Sequence, residues 1–351
     1  MKIRPAFDDA AAAGIITAEQ ARALTAFYAG RPGRGAAFDL AHFDLAHVLW
    51  YAGALVVIGA MGLFSTLAFG MMGGPALTAT ALIYAFAFAA AGRHLRRAHD
   101  LPVPGGLLIA CAVAMTPLAV YGLQESWGWG EQGRPGAYRD VFTWIKGGWV
   151  PMEAATLVAS AIALRATRFG FITLIAAVAL WFLSMDIGVW ATGPYLDWET
   201  RRTISLWFGL GLIAFAWAVD LRQNRTDYAF WLHLAGILTF WGALTWQSSD
   251  SEMAKALYAL MNVALIGFAI FLSRRIYAVF GAIGVALYLG DLANRVFRDS
   301  LFFPFALSLI GLALIGLGLL YQRHADRIGG AMMRSLPESL RRMRPDHADR
   351  A

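Results

Sequence analysis

The chain has 351 residues, of which 59% are hydrophobic and only 15% are charged. A soluble domain has about a quarter charged residues and less than half apolar ones, so this composition excludes an ordinary water-soluble fold and requires lipid to cover part of the surface. The net charge of +6 does not indicate nucleic-acid binding, because the basic residues are distributed as in a membrane topology.

The N-terminal segment, residues 1–45, is predicted to be a small cytoplasmic helical hairpin. Its first helix ends near Gly14, a plausible C-terminal cap. Thr17-Ala-Glu-Gln20 fits a capping box that begins a second helix, which ends at about Ala29. We expect the hairpin to pack on the membrane domain or on a partner protein, and a loosely tethered arm is the alternative.

The stretch FDLAHFDLAHVLWY repeats the pentapeptide FDLAH and contains two Asp-x-x-His pairs, Asp39/His42 and Asp44/His47. A metal or haem site is one interpretation. A five-residue repeat rotates its copies by roughly 140° around a helix, so the two histidines do not share a face. No other span offers a matching acidic-x-x-His pair. We therefore expect the aspartates to begin a juxtamembrane helix and the histidines to lie among lipid headgroups, with no metal.

Ten apolar runs are long enough to cross a bilayer, which takes roughly 20 residues. Their short connections predict antiparallel neighbours. The sequence thus predicts an all-α integral membrane protein, with a ten-span domain at 46–321 and a cytoplasmic tail at 322–351. The runs cover about 46–69, 75–92, 103–123, 149–166, 169–190, 203–221, 228–247, 253–273, 276–292 and 301–321.

The basic residues predict the orientation. Of the 29 Lys and Arg residues, 21 lie in the termini and in alternate connections, and the opposite connections hold 8. The positive-inside rule places both termini in the cytoplasm. An even number of spans also requires both ends on one side, so the two observations agree.

Charged residues occur near the predicted outer ends of four spans. Charges within a bilayer are costly and often mark functional sites. One interpretation is an outward-facing vestibule that binds a small solute or ion, and the other is a set of interfacial ion pairs that fix helix ends. The candidate vestibule residues are Glu153, Asp186, Lys255, Asp291 and Arg295.

Other polar residues in the spans are interpreted structurally. Asn262, near the midplane, is expected to make interhelical hydrogen bonds. His233 is expected to be interfacial rather than a proton relay, and Pro117 should kink span three. No HExxH, P-loop, GxSxG or dinucleotide motif occurs, and Cys111 is the single cysteine. We therefore predict no catalytic residues, cofactor or metal site.

The tail alternates apolar residues with arginines, which fits a short helix on an anionic inner leaflet. A solvated charged tail is the alternative. The arginines expected to contact lipid are Arg334, Arg341, Arg342 and Arg344.

The stretch FDLAHVLWYAGALVVIGAMGLF, preceded by GIITAEQARAL, resembles a family of bacterial multi-pass membrane proteins grouped as a domain of unknown function. The stretches LWFLSMD, AFWLHLAGILTFWG and FRDSLFFPFALSLIGLALIGLG are also similar to it. The usual pattern has one Phe-x-x-x-His copy, whereas this chain has two. The resemblance implies the bacterial inner membrane but no activity, so no functional residue is carried over.

Two functions remain open on the sequence. The first is a secondary transporter or channel for a small solute or ion, which ten spans divided five plus five would suit. The second is a non-catalytic membrane scaffold or sensor that binds partners through the N-terminal hairpin and basic tail. An intramembrane enzyme acting on a lipid-linked substrate is disfavoured, because acid/base pairs at reachable depth are few.

Overall fold

The computed structural model describes residues 13–29, 45–128, 149–192, 197–222, 228–246 and 251–296, with isolated residues near the N-terminus and between 302 and 316. Every regular element within these ranges is a helix. Most of the predicted tenth span lies outside the described residues, as do the tail with its four arginines and Asp39, His42 and Asp44.

Ten helices follow one another along the described chain. The second has a non-helical residue, Gly73, inside it, so we describe its two parts as the first and second arms of α2. The helices are α1 (Ala18–Ala29), α2 (Leu45–Ala98), α3 (Pro102–Ala114), α4 (Thr116–Ser126), α5 (Val150–Thr167), α6 (Ile172–Thr192), α7 (Trp198–Asp220), α8 (Ala229–Thr245), α9 (Glu252–Leu272) and α10 (Arg275–Val296).

Six stretches of helix are long and apolar enough to cross a membrane: the second arm of α2, α3 together with α4, α6, α7, α9 and α10. The first arm of α2 and α8 are shorter apolar helices. Large apolar side chains on these helices point away from the protein, among them Val56, Phe86, Trp207 and Leu260. Such broad exposure of apolar surface is unfavourable in water and suits lipid. The described part of the chain is all-helical, and the six long apolar stretches indicate a membrane-embedded protein.

Local sequence signals explain several helix boundaries. The predicted capping box is confirmed, since the Thr17 amide donates to Gln20 Oε1 at 2.8 Å and the Gln20 amide donates to Thr17 Oγ1 at 3.2 Å. The helix is interrupted close to Pro117, where the sequence predicts a kink, since α3 ends at Ala114 and α4 begins at Thr116. Proline lacks the amide hydrogen that would continue the ladder across this point.

Packing places chemically different groups at the two ends of the bundle. Short connections join α5 to α6, α6 to α7 and α7 to α8. The two helices of each of these pairs pack against each other. The start of α5 and the end of α6 therefore lie at one end, called here the Glu153 end. The end of α7 and the start of α8 lie at the opposite end, called the Asp220 end. By the same alternation, α9 begins and α10 ends at the Glu153 end.

Candidate functional site

Glu153 and Asp186 form a buried pair of carboxyl groups at the Glu153 end. Glu153 lies in the first turn of α5 and is 6% exposed, while Asp186 lies in the last two turns of α6 and is fully buried. The two carboxyls interact electrostatically. Within the described part of the chain, neither carboxyl oxygen of Glu153 has a hydrogen-bond partner. Like charges this deeply buried are costly unless a proton, cation or donor group compensates them.

A stripe of polar residues continues from Glu153 along one face of α5. Thr156 and Ser160 follow at three and seven residues, the spacing of neighbours on one helix face, and both are buried. The Thr156 hydroxyl donates to the Met152 carbonyl at 2.6 Å. The Ser160 hydroxyl has no hydrogen-bond partner among the residues that the structure describes. Seven residues span about 10 Å along a helix, so the stripe extends well into the bundle.

Helix α4 adds two more polar side chains at this end of the bundle. α4 packs against α5, and its last two turns contain Gln124, which is buried, and Tyr121, whose hydroxyl oxygen is buried. Hydroxyl and amide groups can each donate and accept hydrogen bonds. Buried polar groups at this end therefore come from α4 as well as from α5 and α6.

The other three predicted vestibule residues form a more exposed ion-pair network on α9 and α10. Asp291 Oδ2 lies 3.5 Å from Lys255 Nζ and 3.0 Å from Arg295 Nη2. Arg295 also pairs with Glu252. The Asp291 side chain is 46% exposed, and exposed pairs contribute only about 0–1 kcal/mol each. The five predicted residues therefore fall into two groups, one buried and one near the surface.

Asn262 joins three helices in the middle of the bundle. Its Oδ1 accepts a hydrogen bond of 2.9 Å from Trp241 Nε1 on α8, and its Nδ2 donates to the Tyr258 carbonyl at 2.8 Å. A Cβ atom at Gly284 on α10 would overlap the Asn262 amide. The amide is fully buried and satisfied within the protein, which fits a role in helix association.

The Asp220 end contains a buried network of charged and polar side chains that the sequence did not predict. Arg274, which lies between α9 and α10, donates from Nε to Asp220 Oδ2 at 3.1 Å and from Nη2 to Asp220 Oδ1 at 2.6 Å. His233 Nε2 lies 3.2 Å from Asp220 Oδ2, and His233 Nδ1 lies 2.6 Å from the Tyr277 hydroxyl. His233 and Tyr277 are fully buried, and Asp220 and Arg274 are at most 7% exposed.

A neutral His233 satisfies the hydrogen bonds of this network without adding a charge. A neutral His233 donates from Nε2 to Asp220 and accepts at Nδ1 from the Tyr277 hydroxyl. Asp220 and Arg274 then balance each other's charge in the fork-like geometry that guanidinium and carboxylate groups favour. A protonated His233 would add an uncompensated charge to these four residues. The sequence did not single out Asp220, and Arg274 counted only among the basic residues of one connection.

The described residues contain no group of three or more His, Cys, Asp or Glu side chains placed to hold a metal ion. Because most of the duplicated pentapeptide lies outside the described part of the chain, its interpretation as a helix start without metal stays a prediction.

Comparisons with protein-family models, with curated proteins and with solved structures found no match to this chain. The resemblance to a family of bacterial multi-pass proteins therefore stays a prediction.

Proposed function

We propose that the protein is a secondary transporter or channel for a small solute or ion, with its binding site at Glu153 and Asp186. The observation that carries this proposal is the buried pair itself. Two carboxyl groups from adjacent helices interact inside a membrane-embedded bundle, and Glu153 has no hydrogen-bond partner in the described structure. A carboxylate that is structural only is expected to be paired or hydrogen-bonded where it is buried.

The chemistry of the pair favours a positively charged or hydrogen-bond-donating ligand. Carboxyl oxygens are acceptors when ionised, and a proton or small cation between them would remove their repulsion. The hydroxyls of Thr156 and Ser160 continue along α5 toward the middle of the bundle. A short row of polar groups with one end at a carboxyl pair suits the passage of a small polar species rather than a bulky apolar one.

The orientation in the membrane is part of the same proposal. Ten spans with both termini in the cytoplasm of a bacterial inner membrane would turn the Glu153 end outward and the Asp220 end inward. The support is the distribution of 21 of 29 basic residues on one side of the predicted topology. Reporter fusions at Arg96 and Arg274 should then report the cytoplasm and a fusion at Gly136 the outer side, and one reversed result would contradict the scheme.

Ion flux into vesicles tests the function. Purified protein in lipid vesicles is exposed to gradients of protons, sodium or potassium, one at a time, with empty vesicles as the reference. We expect a flux above the reference for at least one of these ions and its loss in Glu153→Gln. Asp291→Asn is the matched control, because it makes the same chemical change at an exposed pair and should retain the flux.

The alternative function predicts a different result. A membrane scaffold or sensor, which would bind partners through the N-terminal hairpin and the basic tail, should give no flux for any of the three ions. A flux that Glu153→Gln leaves unchanged would retain transport and contradict this site.

A further inference from the structure

The buried network at the Asp220 end connects two helical hairpins. The first hairpin is α7 with α8 and the second is α9 with α10, and the packing within each is far more extensive than between α8 and α10. Asp220 and His233 belong to the first hairpin, and Tyr277 belongs to the second, with Arg274 in its turn. Every hydrogen bond from Arg274 or Tyr277 to Asp220 or His233 therefore crosses between the hairpins.

The turn of the second hairpin directs Arg274 toward Asp220. Ser273 adopts a left-handed conformation with φ of 53°, which is uncommon for a residue other than glycine and persists where the surroundings favour it. The next amide, that of Arg274, donates to the Ala269 carbonyl at 3.1 Å. The backbone thus reverses direction within two residues. The Arg274 side chain, which is only 7% exposed, lies against the other hairpin.

A layer of aromatic side chains lies next to the network. Trp217 of α7 contacts Phe271 of α9 edge-on, with ring centroids 5.8 Å apart, and Phe268 of α9 contacts Tyr277 at 5.0 Å. These rings belong to or pack against one apolar cluster that includes Ala269 and Leu272. Polar network and aromatic layer together close the space between the hairpins at this end of the bundle.

We propose that Asp220, His233, Arg274 and Tyr277 form a latch that holds the two hairpins together and whose release admits water between them at the Asp220 end. Separating the hairpins would break the Arg274–Asp220 ion pair and move two buried, opposite charges apart. Partial separation is thus costly, and the hairpins are either closed and dry or apart with water at the charges. The role of this opening as a step of transport rests on the proposed function.

Thiol accessibility tests the latch without any transported substrate. The chain has a single cysteine, Cys111, so Cys111→Ala gives a background for a new reporter, Ala269→Cys. Ala269 is 6% exposed and lies in the cluster beside the network. We expect Arg274→Gln to increase the reaction rate of this reporter with a maleimide at least about tenfold, the change that about 1.4 kcal/mol produces in an opening equilibrium. Tyr277→Phe, which removes one hydrogen bond, should give a smaller increase.

The native cysteine supplies the matched control. Cys111 is 1% exposed and packs in a different cluster, on α3, so its reactivity should not change in Arg274→Gln or Tyr277→Phe. Unchanged reactivity of the Ala269→Cys reporter in both variants would overturn the latch. An equal increase at both thiols in Tyr277→Phe would also overturn it, since that indicates general loosening. Neither thiol measures ion flux. A negative result for the latch therefore leaves the proposed transport site at Glu153 untouched, and a negative flux result leaves the latch untouched.

Discussion

The two ends of the bundle bury charged groups in opposite ways. At the Asp220 end, the guanidinium of Arg274 makes two hydrogen bonds to Asp220, and His233 and Tyr277 complete the network. At the Glu153 end, two carboxyls interact, and the oxygens of Glu153 have no hydrogen-bond partner within the described residues. Charge compensation inside the protein is typical of a structural connection. A buried carboxyl group that lacks such compensation is typical of a site that binds a proton, an ion or a ligand.

The largest expected effect is loss of the compensated pair. Arg274→Gln leaves Asp220 ionised and buried without its guanidinium, which typically costs about 3–5 kcal/mol. We expect a large fall in the midpoint of thermal unfolding of the purified protein in detergent. Arg275→Gln is the control, because the neighbouring arginine has the same chemistry and is exposed. Equal midpoints for Arg274→Gln and the unmodified protein would contradict the compensation at this end.

An intermediate effect is expected between the two ends, where the polar contact carries no charge. Gly284→Ala would place a Cβ atom on the fully buried Asn262 amide, and such overpacking costs about 1–3 kcal/mol. Gly267→Ala on α9 is the control, because a Cβ there meets no atom within 4 Å. The two unfolding midpoints should therefore differ, with Gly284→Ala lower. A tolerated Gly284→Ala would show that Asn262 can repack freely.

At the Glu153 end the stability effect should be small or of opposite sign. Glu153→Gln keeps the shape of the side chain and removes its share of the repulsion with Asp186. We expect the unfolding midpoint to stay the same or rise, whereas the corresponding change at the other end, Asp220→Asn, should lower it. A fall with Glu153→Gln as large as that with Asp220→Asn would mean that Glu153 is structurally compensated after all, and the contrast between the ends would be lost.

The smallest effect is expected at the start of α7. Asp197 caps this helix by accepting a hydrogen bond of 3.2 Å from the Thr200 amide. Hydrogen bonds from Thr200 lower the pKa of this exposed carboxyl. A lowered pKa in the folded protein means that the cap stabilises above the ordinary aspartate range and is lost as pH falls through the folded value. Asp197→Ala should lower the unfolding midpoint slightly at neutral pH, and the difference should vanish in acid.

Asparagine is the control for the cap, since its side-chain oxygen can accept the same hydrogen bond without titrating. Asp197→Asn should therefore stay close to the unmodified protein at neutral pH and show a flatter response to acid. A difference between Asp197→Ala and Asp197→Asn that persists unchanged at low pH would contradict the titration of this cap.

Sequence alone determined the features that depend on neighbouring residues. The apolar runs predicted membrane-spanning helices, and the structure has six stretches of helix long and apolar enough to cross a membrane. Thr17 and Gln20 predicted a capping box, which is present. Pro117 predicted a kink, and the helix is interrupted at Met115. Each depends on composition or on residues a few positions apart, because a capping hydrogen bond or a missing amide acts within one helical turn. With six such stretches in the described part of the chain, the count of ten spans and the orientation stay predictions.

Only the tertiary structure decided which polar groups meet. Asp220 and Arg274 are 54 residues apart. The sequence predicted His233 to be interfacial rather than a proton relay, whereas the structure buries it fully beside Asp220 and Tyr277. The physical reason is that lipid and protein interior are equally apolar, so hydrophobic periodicity does not mark which face of a membrane helix packs inward. A side chain turns by about 100° with each residue. The packing of the helices therefore decides whether a charged side chain lies beside one of opposite charge, beside another carboxyl group or at the surface.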